Sequence, residues 1–437
     1  MTFFRRSFLA GAFAVAAVAG TGCDFNLEDP NTVGQETAFS TRDGLFAAAQ
    51  GLQELYAVQT LDNVVITPGI TTRELAANTT FANLLDLEAG GTGLPTTNAN
   101  VGGLFGQLYQ LLGFAEDVGE GADRVDELTD DERAGIGALA DFYRAVAIGT
   151  LAQNFEQVAL EVDPETPGTY ASNDAAFERA ADLLEEAEAA LTAAPDAAAA
   201  APIAAGFDLL NTVRAYRARY ELFAGNDQAA IDAADRVDDG ATSVFSYTGE
   251  ASNPLFDDLV DGTPSFISRD DLGLENVDAD DARVAFYTTA VDSLSTNGFP
   301  VDIVAGFADD GAAAPLPAYL PGELDLIRAE ASLNLGDTDA AIGFINAVRT
   351  KTADEDPFGV GAGLDAYDGA EDDASLRQEI FLQRSAELYL QGLRLVDSRR
   401  LGGQSVGSGA FERTRTFYPY PFQERNANPN TPADPAI

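Results

Sequence analysis

From residue 42 onward, apolar positions recur at three- and four-residue steps over long stretches, the spacing that gathers them on one face of an α-helix. The pattern predicts helices over about 42–58, 103–127, 131–154, 173–194, 206–223, 226–238, 318–335, 338–352 and 374–400. In 173–194, Phe177, Ala180, Ala181, Leu184, Ala187 and Leu191 share a face in a segment of Ala, Glu and Leu, all good helix formers. Three regions break the period. Segments 60–102, 239–317 and 353–373 are rich in Gly, Pro, Asn, Thr and Asp with scattered β-branched and aromatic residues, and predict loops with short strands inserted into a helical frame. The Ala- and Pro-rich stretch 193–205 reads as a surface connector.

Two of the helical segments repeat one another. Gly225-Asn226-Asp227-Gln228-Ala229-Ala230-Ile231 aligns with Gly336-Asp337-Thr338-Asp339-Ala340-Ala341-Ile342, and each copy follows a helix bearing Ala and Leu. A glycine there takes the left-handed conformation that ends a helix, and the next Asn or Asp caps the following one. This helix–Gly–Asp–helix unit is the tetratricopeptide-like hairpin. The two copies are not contiguous, so insertions separate them. In 374–400, Phe381, Ser385, Leu388, Gly392 and Leu395 fall on one face. Arg384 with Glu387, and Arg394 with Asp397, are spaced to pair along that helix.

The N-terminus carries a different pattern. Residues 1–22 hold Arg5 and Arg6, a short apolar run, and Thr21-Gly22 before Cys23: an export signal, too short to span a bilayer as a stable helix. Arg5-Arg6-Ser7-Phe8-Leu9 is similar to a twin-arginine signal with Phe4 before the pair, and equally to an ordinary positive n-region. Gly20-Thr21-Gly22-Cys23 resembles a bacterial lipoprotein signal, with Gly20 where a larger aliphatic residue is commoner. Cys23 is thus the candidate lipidation site, beginning a mature chain over 23–437 with 24–34 as a polar tether. Each buried acyl methylene adds ~0.8 kcal/mol of membrane affinity, so several chains, palmitate among them, anchor durably.

Composition narrows the function. Asp plus Glu number 71 against 25 Lys plus Arg, for a net charge of −46. Such a chain repels phosphate backbones, so nucleic acid is not an expected partner. With 46% hydrophobic residues it is no disordered acidic chain. The acidity instead reads as halophilic adaptation, in which strong salt screens repulsion among surface carboxylates. One Cys excludes an intrachain disulfide, and the absence of His excludes a Ser-His-Asp triad and His-ligated zinc. Asp278-Ala279-Asp280-Asp281 and Asp354-Glu355-Asp356 lack the ligand spacing of a calcium loop. No metal, cofactor or catalytic residue is assigned. A carboxylate-pair glycosidase is the one enzyme reading the composition leaves.

Four further motifs join Cys23 in one order along the chain. In 374–402, Arg384, Glu387, Leu388, Gly392, Arg394, Asp397 and Arg400 match the C-terminal helix pattern ER…EL…EG…R…D…R of the SusD/RagB family, with Gln383 and Gln391 in place of glutamates. Arg328-Ala329-Glu330-Ala331 with Asn346-Ala347-Val348-Arg349 resembles that family's helical hairpin. Tyr418-Pro419-Tyr420-Pro421 with Glu424 and Asn428-Pro429 resembles its tail, and Phe142-Tyr143-Arg144-Ala145 an earlier helix. Cys23 with Pro30-Asn31 resembles its N-terminus.

The resemblance implies a mostly α fold: tetratricopeptide-like hairpins forming a superhelical framework over about 40–238 and 318–402, loop-rich insertions at 60–102, 239–317 and 353–373, and a tail at 403–437. It implies an outer-membrane lipoprotein facing outside, not an enzyme, that captures glycan or peptide nutrients as the lid of a TonB-dependent SusC-like barrel. In that family an acidic or Lys-containing stretch directly follows the cysteine, where this chain has only Asp24 and then Glu28-Asp29. A membrane-anchored helical-repeat scaffold for protein binding is the alternative.

Glycan sites favour aromatic platforms backed by polar groups, and without Trp that role falls to Tyr or Phe. Phe245, Tyr247, Phe286 and Tyr287, in the second insertion, are the candidates; the competing reading makes each a local core residue. The charge pattern predicts that the melting temperature rises by several degrees from about 0.1 M to about 1 M salt, as the screening length falls from ~10 Å to ~3 Å. Thermal melts across that range check it, and a flat response would count against salt adaptation.

Overall fold

A computed structural model describes residues 39–163 and 165–437. The signal segment, Cys23 and the tether lie outside the described residues. Long helices follow one another as the periodicity predicts: Arg42–Gln59, Ala99–Arg124, Asp130–Asn154, Asn173–Ala193 and Leu209–Phe223. Their starts are set by short polar side chains that accept otherwise unpaired backbone N–H groups. Thr41, Asn98, Ser172 and Asp208 each cap the helix they precede, and Thr129 with Glu132 forms a reciprocal capping box. Each later helix in this series packs on its predecessor. Asp130–Asn154 lies between two neighbours and is buried on nearly all sides after Gly135.

The two repeated hairpins complete the series and touch directly. Leu209–Phe223 turns at Gly225 (φ 82°) into Asp227–Ala234, and Pro321–Asn334 turns at Gly336 (φ 83°) into Thr338–Arg349. Helix Asp227–Ala234 packs on Pro321–Asn334, so the insertion between the hairpins leaves the stack and returns to it. The join is polar outside and ionic inside: Asn334 donates to Asp227 at 2.8 Å, and buried Arg219 grips Glu323 with two bonds of 2.6 and 2.7 Å. Asp337 caps its helix as expected; Asn226 does not, and donates instead to Glu221. This stacking agrees with a tetratricopeptide-like framework.

Segment 60–102 departs from the loop reading. It holds a second helix, Leu61–Thr71, buried almost throughout, then strand Leu75–Ala77 and helix Ala82–Ala89. The helix carries Pro68 and Gly69, and nine of its eleven residues are buried, which leaves little polar face for periodicity to reveal. Segment 239–317 supplies the expected short strands. Phe266–Arg269, Thr288–Leu294 and Pro300–Val304 join Leu75–Ala77 in an antiparallel sheet, ordered Leu75–Ala77, Phe266–Arg269, Pro300–Val304, Thr288–Leu294. The 193–205 connector is less superficial than read: Ala197 and Ala201 are buried, and a Cβ at Gly135 would sit 2.2 Å from the Ala197 carbonyl oxygen.

The predicted helix 374–400 is two helices, Asp373–Glu387 and Arg394–Arg400. Leu390 (φ 59°) and Gly392 (φ 72°) turn the chain between them. At Gly392 a side chain is excluded twice over, by that φ and by the Val64 carbonyl oxygen 2.4 Å from where its Cβ would lie. The break also re-pairs the charges. Arg384 donates to Asp397 at 2.8 Å rather than to Glu387, and Arg394 donates to the Leu272 and Ser385 carbonyls.

Glu387, wholly buried, accepts instead from Arg283 of the second insertion at 3.1 Å and from Lys351, the only lysine of the chain, at 2.5 Å. Arg283 also reaches Asp281 and Gln383, each at 2.7 Å, and Lys351 reaches Asp356 at 2.7 Å. Removing one member strands the others as buried charges. Glu387→Ala is expected to lower stability by about 3–5 kcal/mol, measured by urea denaturation in high salt. A loss below about 1 kcal/mol, the level of an exposed pair, would show that the network does not hold insertion and frame together.

Candidate functional site

The structure does not bring the four candidate aromatics into one platform. Tyr287 is 1% exposed, and its hydroxyl donates to the Glu387 carbonyl oxygen at 3.0 Å. Tyr247, 7% exposed, donates to the Ala57 carbonyl oxygen at 3.1 Å and so pins the second insertion to the first long helix. Both belong to the core, and truncating either would disturb folding before binding. Phe286 is half-buried, edge-on to Tyr287 and Phe307 with centroids 4.8 and 5.3 Å away. Phe245 lies apart from this pair, packed at 5.4 Å on Tyr56 and at 5.6 Å on Phe207.

Phe245 alone borders a usable hollow. A cavity of about 310 Å³ is floored by Phe207 and Phe245 and rimmed by Gln50, Gln53, Glu54 and Ser246. Helix Arg42–Gln59 supplies one wall; strand Val244–Phe245, paired with Leu316–Pro317, supplies the other. Gln53 is nine-tenths buried. Its Oε1 accepts from the Ala204 backbone at 2.9 Å, which fixes the amide, and its Nε2 is enclosed without a partner. An unpaired buried donor is costly unless a ligand or water satisfies it. An apolar floor with few convergent polar groups is the composition of small-molecule sites, and the volume sits at the lower end of their roughly 300–1,000 Å³. Only Phe245 was legible in the sequence. Gln50, Gln53 and Glu54 read there as ordinary polar positions of an amphipathic helix, and Phe207 as the start of the next.

Clefts of about 380, 410 and 390 Å³ flank the turn after strand Gln157–Ala159. Their walls are acidic: Glu161, Asp163, Glu165 and Glu424 on one side, Glu116, Glu120, Asp123 and Asp141 on the other, with Arg144 the cation among them. Two hydroxyls brace this edge. Tyr109 accepts from the Ala159 backbone at 2.8 Å, and Tyr170 donates to Glu424 at 2.8 Å. The cleft beside Glu116 and Asp141 is mainly polar, whereas the other two add apolar lining that includes Tyr109 in one and Tyr170 in the other. Among the described residues no cluster of three or more acids converges as a metal site. Asp281 and Asp356, from the two acidic runs, are held instead by Arg283 and Lys351.

A carboxyl pair does occur where helix Leu61–Thr71 meets helix Pro254–Leu259. Burial, then the charges of Asp62 and Asp257, push the Asp258 carboxyl up to about 6; burial also raises Asp62, whose Oδ1 is enclosed without a partner. A carboxyl raised in the folded state binds its proton more tightly there than when unfolded. Its stabilising contribution is complete at about pH 4 and below, and is lost as pH rises through about 6. Asp258→Asn should therefore raise the melting temperature by a few degrees at neutral pH and leave it unchanged near the acid end of that window. Equal effects at both pH values would contradict the assignment.

No curated protein is significantly similar to this chain. Residues 310–434 match the SusD family model. A SusD superfamily protein of Bacteroides thetaiotaomicron superposes with a TM-score of 0.69 at 17% identity, over 90% of this chain and 99% of its own. A SusD-like carbohydrate binding protein of Bacteroides vulgatus gives 0.61 at 18% identity, over 82% and 83%. The B. fragilis protein NanU gives 0.65 at 13% identity, over 93% and 99%. These likenesses extend the shared fold well beyond the matched C-terminal segment. No described helix is long and apolar enough to cross a membrane.

Proposed function

We infer that this chain, which belongs to the SusD/RagB family, is a glycan-binding protein of the cell surface rather than an enzyme. It is tethered to the outer membrane through acylated Cys23 and serves as the lid of a TonB-dependent SusC-like importer. The observation that carries the binding role is the hollow over Phe207 and Phe245, with its oriented, unpaired Gln53 amide. A sugar ring presents apolar C–H faces and hydroxyl edges, and the hollow presents an apolar floor and a polar rim to match them. The solved SusD-like carbohydrate binding protein of B. vulgatus supports the choice of ligand class. A peptide is the other class that this chemistry admits. The acidic surface keeps a salt-adapted lid soluble where strong salt screens its charge.

Ser246 stands exposed on the rim, so Ser246→Trp fills the hollow without touching the core. On a panel of soluble polysaccharides and peptides, the unaltered chain should retain one class. The variant should lose at least tenfold in affinity with an unchanged circular dichroism spectrum. Retained affinity in the variant would remove the hollow from the reading. The same panel is scored for hydrolysis, because Asp62 and Asp258 form a raised carboxyl pair; reducing ends that appear with the chain and vanish with Asp258→Asn would replace binder by glycosidase. Co-purification with a barrel encoded beside this gene, lost in Cys23→Ala, tests lid and anchor together.

A further inference from the structure

The hollow of about 310 Å³ over Phe207 and Phe245 carries an uneven set of polar groups. The Gln53 amide is held one way round, because its Oε1 accepts from the Ala204 backbone at 2.9 Å. Its Nε2 is left without a partner among the described residues, and an amide nitrogen donates only. The rim answers with acceptors. Glu54 lines the hollow, is exposed, and receives a hydrogen bond from no described residue. Ser246 gives its hydroxyl hydrogen to the Ala205 carbonyl oxygen at 2.7 Å, which leaves it lone pairs to offer.

The remaining lining is apolar. Val58, Ile203 and Val244 border the hollow and are each only half-buried, while Phe207 and Phe245 pack 5.6 Å apart beneath. One fixed donor, one free carboxylate and an aliphatic wall select among sugar substituents. A carboxylate would accept from Gln53 but would meet Glu54 on a chain of net charge −46. A hydroxyl both donates and accepts, so it satisfies either polar group, but it brings nothing to cover the aliphatic wall. An acetamido group divides as the hollow does: its carbonyl oxygen accepts only, its N–H donates only, and its methyl is apolar.

We propose that the hollow takes the N-acetyl group of a neutral 2-acetamido sugar. The carbonyl oxygen accepts from Gln53 Nε2, the N–H donates to Glu54, and the methyl rests on the wall formed by Val58, Ile203 and Val244. A buried methyl adds roughly fourfold in affinity, and relieving an isolated buried donor adds about fivefold. The sugar rests on the glycan reading proposed above; the acetamido group rests on these side chains alone.

The test is calorimetric titration of the full mature chain in strong salt with triacetylchitotriose and with cellotriose, which differ only in carrying an acetamido group or a hydroxyl at each C2. End-blocked trialanine, which has the amide and the methyl but no sugar, is the third ligand. Triacetylchitotriose should bind at least tenfold tighter than either. Gln53→Met, which keeps the length and removes the donor, should cut its lead over cellotriose at least threefold. Because Gln53 is buried, Ser246→Trp at the exposed rim serves as the second variant and should weaken triacetylchitotriose at least tenfold without altering the melting curve. Equal affinity for the two trisaccharides, or full affinity in Ser246→Trp, overturns the acetamido site. So does failure of both trisaccharides while another glycan binds, and in that case the glycan reading stands. Trialanine binding as tightly as triacetylchitotriose overturns the sugar in favour of a peptide. Failure of every glycan tried overturns both readings.

Discussion

The buried carboxylate of Glu387 is the point on which frame and insertions agree. It sits at the end of helix Asp373–Glu387 and takes one arginine from the second insertion and the lone lysine from beyond the second hairpin. The frame leaves room for it only because residue 322 is glycine: a Cβ there would stand 2.0 Å from Glu387 Oε1. A second carboxylate, Asp397, performs the same office one layer away. It accepts from Arg384 at 2.8 Å and from Arg400 at 3.0 Å, while Arg400 also reaches Glu330 of the hairpin helix at 2.7 Å. Buried ion pairs add little net stability over an apolar replacement, but they tolerate few alternative arrangements. Their value here is register: each fixes which insertion meets which helix.

That role explains what the sequence disclosed and what it withheld. The amphipathic helices were legible because each keeps a wet face, as Asn173–Ala193 does with its run of glutamates. The repeated Gly-Asn-Asp and Gly-Asp-Thr turns were legible because a left-handed residue leaves a glycine behind. Leu61–Thr71 was not, since a helix surrounded by protein has no polar stripe and this one contains Pro68. The arginines and acids of 384–400 were visible as a set, yet their partners were misread. Spacing along an assumed continuous helix paired neighbours, whereas the turn at Leu390 and Gly392 folds Asp397 back onto Arg384. Local spacing reports only local geometry. Glu387 meets Arg283 across 104 positions, and nothing in either neighbourhood announces it.

The candidate site was less legible than the fold for a related reason. Aromatic residues in an insertion signal burial as readily as binding. Tyr247 and Tyr287 prove to be hydrogen-bonded staples between insertion and frame. Buried polar atoms without a partner are spread through the fold, the Gln53 amide nitrogen at the hollow and both terminal nitrogens of Arg384 among them. Their availability depends on what their neighbours already hold, and that is a property of the folded surface rather than of any short stretch of chain.

The hollow over Phe245 lies where the second insertion meets the frame. Every long helix of the frame has its apolar face committed to the next helix in the series, and Asp130–Asn154 has nearly its whole surface committed. The frame still borders concave surface at its margins: helix Arg42–Gln59 walls the hollow over Phe245, and an acidic cleft is lined from Ala99–Arg124 and Asp130–Asn154. The insertions leave the stack, return to it, and are clamped at the root by Glu387, Tyr247 and Tyr287. Their outer parts are then free to vary while their bases stay in register. A shared fold at 13–18% identity over 82–93% of this chain fits this division. The frame and its buried charges specify the fold, and loops rooted in them are where chains of one fold can come to hold different ligands.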